Sequence, residues 1–161
     1  MGFGHNERIS VYKIYDNEFV RIGRTSEDPN LKTSGRKSYP IHEGLIGKGW
    51  STGECFIDSL PDPNERSGTP YYNAINATAQ IPRNIIDNMT MKSRTYYICR
   101  IEGFDNEPKA VFVAESKNPN AFTKELVLEK IEGIRQPLIM FIEKINNSNV
   151  VSQQNLNNIG I

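Results

Sequence analysis

A glycine-rich stretch, 43–65, is the first place where residue types and spacing suggest chemistry. Its sequence, EGLIGKGWSTGECFIDSLPDPNE, contains four glycines, Lys48 and the only tryptophan of the chain. Glycine-rich turns that lead into a helix can bind phosphate, because backbone N–H groups can approach the anion. A nucleotide-binding phosphate loop, however, has Ser or Thr directly after its lysine and a buried strand before its first glycine. Here Gly49 follows Lys48, and the preceding residues, GRKSYPIHE, are polar. The spacing therefore argues against a phosphate loop.

The same stretch is better interpreted as a short helix followed by a strand. In this interpretation Leu45, Ile46 and Trp50 point inward, and the glycines allow close packing of the helix. The letters STG end the helix at Gly53, and ECFID forms a strand that stops at the proline-rich PDPN. We expect Trp50 to be largely buried and structural.

Residues suited to catalysis or metal binding are few and scattered. Cys55 and Cys99 have no CxxC or Cys/His spacing, and His5 and His42 are equally isolated. This pattern favours two buried free thiols over a zinc site or a disulfide framework. We expect no catalytic residue and no metal site, and no cofactor can be named from the sequence.

Composition limits the classes of partner. The 161 residues suffice for about one domain, and 19 basic residues balance 19 acidic ones. A chain without net charge lacks the broad electrostatic footprint of a protein that binds nucleic acid or acidic membrane. No signal peptide or membrane span is visible, the longest apolar run being about PLIMFI. We expect a cytoplasmic protein without nucleic-acid partners.

The periodicity of the remaining chain predicts two hairpins, two short helices and one long helix. RISVYKIYD and EFVRIGRTS form the first hairpin, with Asp16 and Asn17 in the turn, and EDPNLKTSGRK is a polar loop. TPYYNAINATAQIPRNIIDNMTM holds the short helices, with Thr69 as a cap and an interruption at Pro82. SRTYYICRIEGFD and EPKAVFVAES form the second hairpin. FTKELVLEKIEGIRQPLIMFIEKI follows as the long amphipathic helix, with a kink expected at Pro137.

In this order of elements the sequence resembles a GAF domain, the small-molecule-sensing module of many bacterial signalling proteins. GLIGKGWSTGECFIDSLPDP is similar to the family's pattern of glycines, a short helix, Thr-Gly, an apolar strand and an Asp-rich stop. EPKAVFVAESKNPNAFTKELVLEKIEGI resembles its closing strand, acidic residue and terminal helix. Family members usually begin with a helix beside the terminal one, whereas this chain enters its first strand almost at once, so we expect an upstream helix or domain.

The resemblance implies an α+β fold. A central antiparallel sheet of five or six strands carries the long C-terminal helix on one face and short helices, acting as a lid, on the other. We divide the chain into an N-terminal remnant (1–7), a GAF-like domain (8–145) and a flexible Asn/Gln-rich tail (146–161). The lid is predicted at 59–91, as a mobile segment with few buried contacts.

The resemblance also places a ligand pocket beneath the short helices. Alternation along the SRTYYICRIE strand directs Arg94, Tyr96, Ile98 and Arg100 to the pocket face, and Thr95, Tyr97, Cys99 and Ile101 to the long helix. The predicted ligand-binding residues combine stacking planes with cationic forks and suit a nucleotide-like or other anionic ligand; they are Trp50, Phe56, Tyr71, Tyr72, Arg94, Tyr96 and Arg100. In the alternative, the aromatic residues are ordinary core and the arginines are solvated or paired with Glu102 or Glu115.

Three functions remain open. The first, which we favour, is a non-catalytic regulatory domain that binds a small molecule and forms a homodimer through its C-terminal helix. The second is a degenerate GAF-like module that only dimerises or binds protein. The third is an enzyme, because one branch of the family reduces free methionine sulfoxide with cysteine nucleophiles; neither Cys55 nor Cys99 matches the positions of those cysteines.

Overall fold

The fold is a six-stranded antiparallel sheet with helices on both faces. The computed structural model describes residues 4–33 and 35–158, and for 146–158 it describes the backbone alone. The strands are β1 (Glu7–Tyr15), β2 (Glu18–Thr25), β3 (Ser38–Pro40), β4 (Glu54–Ile57), β5 (Thr95–Glu102) and β6 (Pro108–Ser116). The helices are α1 (Pro29–Thr33), α2 (Gly44–Thr52), α3 (Thr69–Thr78), α4 (Arg83–Asp87) and α5 (Lys124–Asn158). The predicted α+β class and sheet are confirmed.

The sheet has the order β3-β2-β1-β6-β5-β4, so β1 and β6 lie at its centre. The predicted hairpins β1–β2 and β5–β6 are both present. Asp16 and Asn17 adopt φ values of 48° and 61°, in the left-handed region that a tight two-residue hairpin turn requires. Strand β1 pairs with β6, which joins the two hairpins side by side and places the first strand of the chain next to the last.

The prediction that 27–37 is wholly a polar loop was wrong, because α1 lies within it. The side chain of Asp28 accepts a 2.9 Å hydrogen bond from the backbone N–H of Asn30, which satisfies one of the free donors of the first turn. Leu31 is 2% exposed and anchors the turn in the core. One buried residue in a five-residue helix is too weak a pattern to detect in the sequence.

Helix α2 lies unusually close to the sheet because of its glycines. A Cβ atom on Gly49 would lie 2.3 Å from Cγ2 of Ile98, and one on Gly47 would lie 2.6 Å from the carbonyl carbon of His42. The helix ends at Gly53 with φ 90°. The predicted helix and its close packing are confirmed.

Two hydrophobic clusters occupy the two faces of the sheet. One joins Tyr12, Tyr96, Ile98 and Val113 of the strands to α2, α3 and α4. The other joins Tyr97, Cys99 and Phe112 to α5. The predicted division of β5 between the faces is therefore confirmed.

The segment predicted as a poorly packed lid is instead a packed layer. Its apolar side chains are at most 4% exposed at six positions, which are Leu60, Tyr71, Ile75, Ile81, Ile86 and Met91. Tyr71 and Ile75 are four residues apart and so share one face of α3. The prediction gave too much weight to the prolines and polar residues, which belong to the outer face of this segment. Thr69 is the first residue of α3 and does not cap it; the cap position is Gly68, with φ 73°.

Helix α5 continues without interruption through Pro137 to Asn158. The predicted tail begins at 146, where side chains are no longer described, and 159–161 lie outside the described residues, as do 1–3. The division into remnant, domain and tail, and the kink at Pro137, therefore stay predictions.

Candidate ligand-binding cavity

A cavity of about 350 Å³ lies between the sheet and the layer formed by α2, α3 and α4. Much of its wall is apolar, and its aliphatic side chains come from five different elements and the segment between α3 and α4: Leu45, Ile46, Ile75, Ile81, Ile85, Ile98 and Val113. Asn84, Asn88 and Thr90 add uncharged polar side chains to the wall. A largely apolar cavity of this size with a few polar groups is the usual form of a small-molecule site.

The floor of the cavity carries a buried ion pair. Arg8 and Glu115 face each other across the β1–β6 ladder, and Nη2 of Arg8 donates a 2.8 Å hydrogen bond to Oε1 of Glu115. They are only 8% and 5% exposed. Burial by itself lowers the pKa of Arg8, but the charge and hydrogen bond of Glu115 outweigh it, so the net shift of this pKa is upward. Arg8 is charged at every physiological pH.

Both members of this pair have hydrogen-bonding capacity left over. Nε of Arg8 is buried and has no acceptor among the described residues. Oε1 of Glu115 also accepts a 2.9 Å hydrogen bond from Oγ of Ser93, so the two described donors share one oxygen. Buried polar atoms without partners are rare in folded proteins. Among the described residues the only other buried side-chain polar atom without a partner is Nε of Arg100, which does not line the cavity.

Tyrosine hydroxyls surround the ion pair. Tyr96 lines the cavity, and burial together with the negative charge of Glu115 raises its pKa to about 12. The hydroxyl of Tyr12 accepts a 2.8 Å hydrogen bond from Nη2 of Arg24, and its ring meets that of Tyr39 edge to face at 5.6 Å. Burial likewise raises the pKa of Tyr39. Tyr39 and Tyr96 therefore remain neutral hydroxyl groups at physiological pH.

A second ion pair, Arg36–Glu43, lies at the mouth, and both of its residues line the cavity. The guanidinium of Arg36 also lies over the ring of Tyr39, 4.6 Å from its centroid. The charged side chains on the wall are thus two arginines and two glutamates, which sum to no net charge.

Of the seven predicted ligand-binding residues, only Tyr96 lines this cavity. Tyr71 is buried behind it and donates a 2.8 Å hydrogen bond to the carbonyl oxygen of Ser93. Trp50 is partly buried against the same cluster, and its ring meets that of Phe19 at 5.9 Å. Tyr71 and Trp50 support the cavity layer rather than contact its contents.

The remaining four predicted residues lie elsewhere. Phe56 is on the opposite face of the sheet, because it pairs with Tyr97, whose ring it meets at 6.2 Å. Tyr72 lies beneath the guanidinium of Arg83. Arg100 pairs with Glu102 at 3.2 Å, as the alternative interpretation allowed.

Arg94 borders a second, more open depression that also includes Lys92 and Lys117. Its Nε donates a 2.8 Å hydrogen bond to the carbonyl oxygen of Leu60. Arg94 and Arg100 therefore do not flank the cavity, even though both point to its side of the sheet.

The residues that the sequence analysis missed are those on β1 and in the loops before α2. Arg8, Ser10 and Tyr12 alternate with Ile9 and Val11, so a polar face of β1 was visible in the sequence. No role was assigned to this face from the sequence, and pairing with β6 places it in the interior. No local signal connected Arg8 with Glu115.

The cysteines have the environment of structural thiols. Both are free and buried, and burial raises the pKa of Cys99 to about 11 and also raises that of Cys55. Within the described residues no group of three or more His, Cys, Asp or Glu side chains is arranged to hold a metal ion.

Comparisons with solved structures identify the fold. The GAF domain of a phosphoenolpyruvate-protein phosphotransferase from Acinetobacter matches with a TM-score of 0.59 and 13% identity, over 89% of this chain and 75% of that one. The GAF domain of a two-component sensor histidine kinase from Bacillus halodurans matches with a TM-score of 0.55 and 15% identity, over 91% and 88%. A type II free methionine-R-sulfoxide reductase from Thermoplasma acidophilum matches with a TM-score of 0.55 and 11% identity, over 87% and 81%.

The chain therefore has a GAF-like fold, as the sequence resemblance predicted. No protein-family model and no curated protein matches the sequence. Among the described residues, no helix combines the length and apolar character that crossing a bilayer requires.

Proposed function

We propose that this GAF-fold chain is a non-catalytic regulatory domain that binds one small molecule in the cavity beneath α2, α3 and α4. The observation that carries the proposal is the buried Arg8–Glu115 pair, which lines a largely apolar cavity and whose hydrogen-bonding groups are not all used within the described residues. Replacing a buried ion pair by well-packed apolar side chains is often neutral or stabilising, so a purely structural core would not need this pair.

The ligand was expected to be nucleotide-like or otherwise anionic. That preference depended on Arg94 and Arg100 flanking the ligand, and neither lines the cavity. The proposal therefore keeps the small molecule and treats nucleotides as compounds to be tested.

Dimerisation through α5 is a second part of the proposal. Ile134 and Phe141 are 49% and 50% exposed and lie seven residues apart, on one side of the helix. Leu138 lies between them and is partly buried. This apolar strip lies beside the sheet-facing side of α5, and a second copy of the helix would cover it.

A reductase is the competing function, favoured by the likeness to the Thermoplasma acidophilum enzyme. Thiol-based reduction needs an accessible thiolate. Cys55 and Cys99 are buried with raised pKa values, which supports the non-catalytic proposal. The proposal includes a cytoplasmic location, which the two unpaired cysteines favour because disulfides accumulate in oxidising compartments.

The proposal is tested by native mass spectrometry of freshly purified protein, followed by a thermal-shift screen of metabolites and nucleotides. We expect a retained small molecule, or a compound that raises the melting temperature of the wild type. The same compound should have no effect on Ile85→Trp, which fills the cavity, and should act normally on Phe104→Trp, a change at an exposed position outside the cavity. Equal responses of both variants would place the binding site elsewhere and defeat the proposal.

A further inference from the structure

We infer that the cavity selects a small molecule without net charge, whose polar head both accepts hydrogen bonds from Arg8 and donates one to Glu115. This inference rests on the proposed ligand-binding function and adds to it the chemical class of the ligand. It also assigns Arg8 and Glu115 as the residues that determine specificity.

The guanidinium of Arg8 provides the donors. It has five N–H groups, and its one described acceptor is Oε1 of Glu115, reached from Nη2. Nε is buried without an acceptor among the described residues, although the residue as a whole is only 8% exposed. An arginine buried to this degree normally has most of its N–H groups paired. Nε has almost no accessible surface, so the N–H groups that a ligand in the cavity could reach are those of the two Nη atoms, because Arg8 lines the cavity.

The carboxylate of Glu115 provides the acceptor. Its Oε1 takes the hydrogen bonds from Arg8 and from Ser93, and Oε2 has no donor among the described residues. Because Glu115 lines the cavity, a donor group on the ligand can reach this carboxylate. A polar head that satisfies both residues therefore carries an acceptor for Arg8 and a donor for Glu115.

The charges on the cavity wall indicate whether the ligand is an anion, a cation or a molecule without net charge. Arg8 and Glu115 neutralise each other at the floor, as Arg36 and Glu43 do at the mouth. A bound anion or cation would leave one charge uncompensated in an apolar enclosure, which is unfavourable. Zwitterions and primary amides satisfy both residues without adding net charge.

The remaining wall sets the size and character of the rest of the ligand. It is mainly apolar, with uncharged polar side chains at Asn84, Asn88 and Thr90, and about 350 Å³ is near the lower end of the usual range for ligand cavities. The ligand is accordingly compact, with one small apolar body attached to the polar head.

The experiment compares compounds that share an apolar body and differ in the head. The first series has four heads: zwitterionic in L-leucine, amide in 4-methylpentanamide, anionic in 4-methylpentanoate and cationic in 3-methylbutylamine. A second series, with a benzyl group in place of the branched alkyl group, repeats the comparison. Benzene serves as the probe without a head. Dissociation constants are measured by ligand-observed NMR; we expect the zwitterion or the amide to bind at least tenfold more tightly than the matched anion and cation.

Variants connect this preference to the ion pair. The double variant Arg8→Met/Glu115→Leu removes both charges, so neither is left buried and unpaired, and the preference should fall to less than twofold. Arg94→Met removes an arginine that does not line the cavity and should leave the preference unchanged. If the double variant does not fold, Arg8→Lys takes its place. This substitution retains the charge but loses the planar fork, so it should weaken binding of the zwitterion at least fivefold.

The outcomes separate this inference from the proposed function. Benzene binding without a preference among heads, or tighter binding of the anion, would overturn the inference and leave the cavity as a ligand site. Failure of every probe to bind, benzene included, would overturn the inference, and the proposed function would fall with it if the metabolite and nucleotide screen also found no ligand. A preference that persists in the double variant would show that other residues select the head.

Discussion

Arg8 and Glu115 lie directly opposite each other on the two central strands, and the 2.8 Å hydrogen bond between them joins positions 107 residues apart. Each residue is less than one-tenth exposed, so each depends on the other for compensation of its charge. The pair therefore contributes to the stability of the sheet as well as to the cavity.

We predict that Glu115→Ala lowers the free energy of unfolding by about 3–5 kcal/mol, because it leaves the Arg8 cation buried and unpaired. The double variant Arg8→Met/Glu115→Leu should lose less than the single variant, since it buries no charge. Urea unfolding of the wild type, Arg8→Met, Glu115→Leu and the double variant measures the coupling. Additive losses would show that the two residues do not depend on each other.

The close approach of α2 to β5 makes a second prediction. Gly49→Ala should lower the free energy of unfolding by about 1–3 kcal/mol, because the new methyl group would overlap the side chain of Ile98. Gly133→Ala is the matched control: this glycine lies in α5, where a Cβ atom would have no neighbour within 4 Å, and the change should stabilise by up to about 1 kcal/mol. Thermal or urea denaturation gives both values. Shifts of the same sign would contradict the packing argument.

Stability should decrease above pH 9 through the thiol of Cys99. Burial raises its pKa from 9.0 to about 11, so the unfolded chain loses this proton first as the pH rises. This stabilisation is fully present below pH 9 and is lost progressively between pH 9 and 11. At pH 10 the free energy of unfolding should be lower by roughly 1 kcal/mol. Urea midpoints from pH 8 to 10 should fall less steeply for Cys99→Ala than for the wild type.

Cys55→Ala provides the comparison for this pH experiment, because it leaves Cys99 in place; burial also raises the pKa of Cys55, so this variant reports a second contribution in the same direction. Burial also raises the pKa values of Tyr71 and Tyr97, which act in the same direction, but their effect begins only near the ordinary tyrosine pKa of 10.0, above that of the thiol. Identical slopes for Cys99→Ala and the wild type would exclude Cys99 as the source.

The exposed strip on α5 predicts self-association. The wild type should sediment as a dimer at high micromolar concentration, and Phe141→Lys should shift it to monomer because a charge would be buried at the contact. Gln136→Lys adds the same charge on the opposite side of the helix and should leave the dimer intact. A monomeric wild type, or equal behaviour of the two variants, would count against this interface.

Local patterns were sufficient to predict the hairpins, α2 and α5. Asp16 and Asn17 indicated the first turn, and the three- and four-residue spacing of apolar side chains indicated α5. The glycines of α2 suggested close packing, which the position of Gly49 against Ile98 confirms.

The site could not be predicted in the same way, because its key contact is formed between distant strands. The polar face of β1 becomes interior only when β1 pairs with β6, and no local pattern encodes that pairing. Phe56 was assigned to the wrong face because β4 has four residues, too few for alternation to settle which side faces inward. Arg94 and Arg100 were assigned to the correct face but lie beyond the cavity, whose extent depends on α3 and α4.

The central position of β1 has a consequence for synthesis on the ribosome. The first strand to emerge can form its hairpin with β2, but its other edge stays without a partner until β6 has been made, about a hundred residues later. During that interval a row of backbone N–H and C=O groups and the charged side chain of Arg8 are open to solvent or to other chains. Nascent chains arrested before Pro108 should therefore be sensitive to proteases and prone to bind chaperones, whereas chains that extend past Ser116 with room to leave the exit tunnel should become protected.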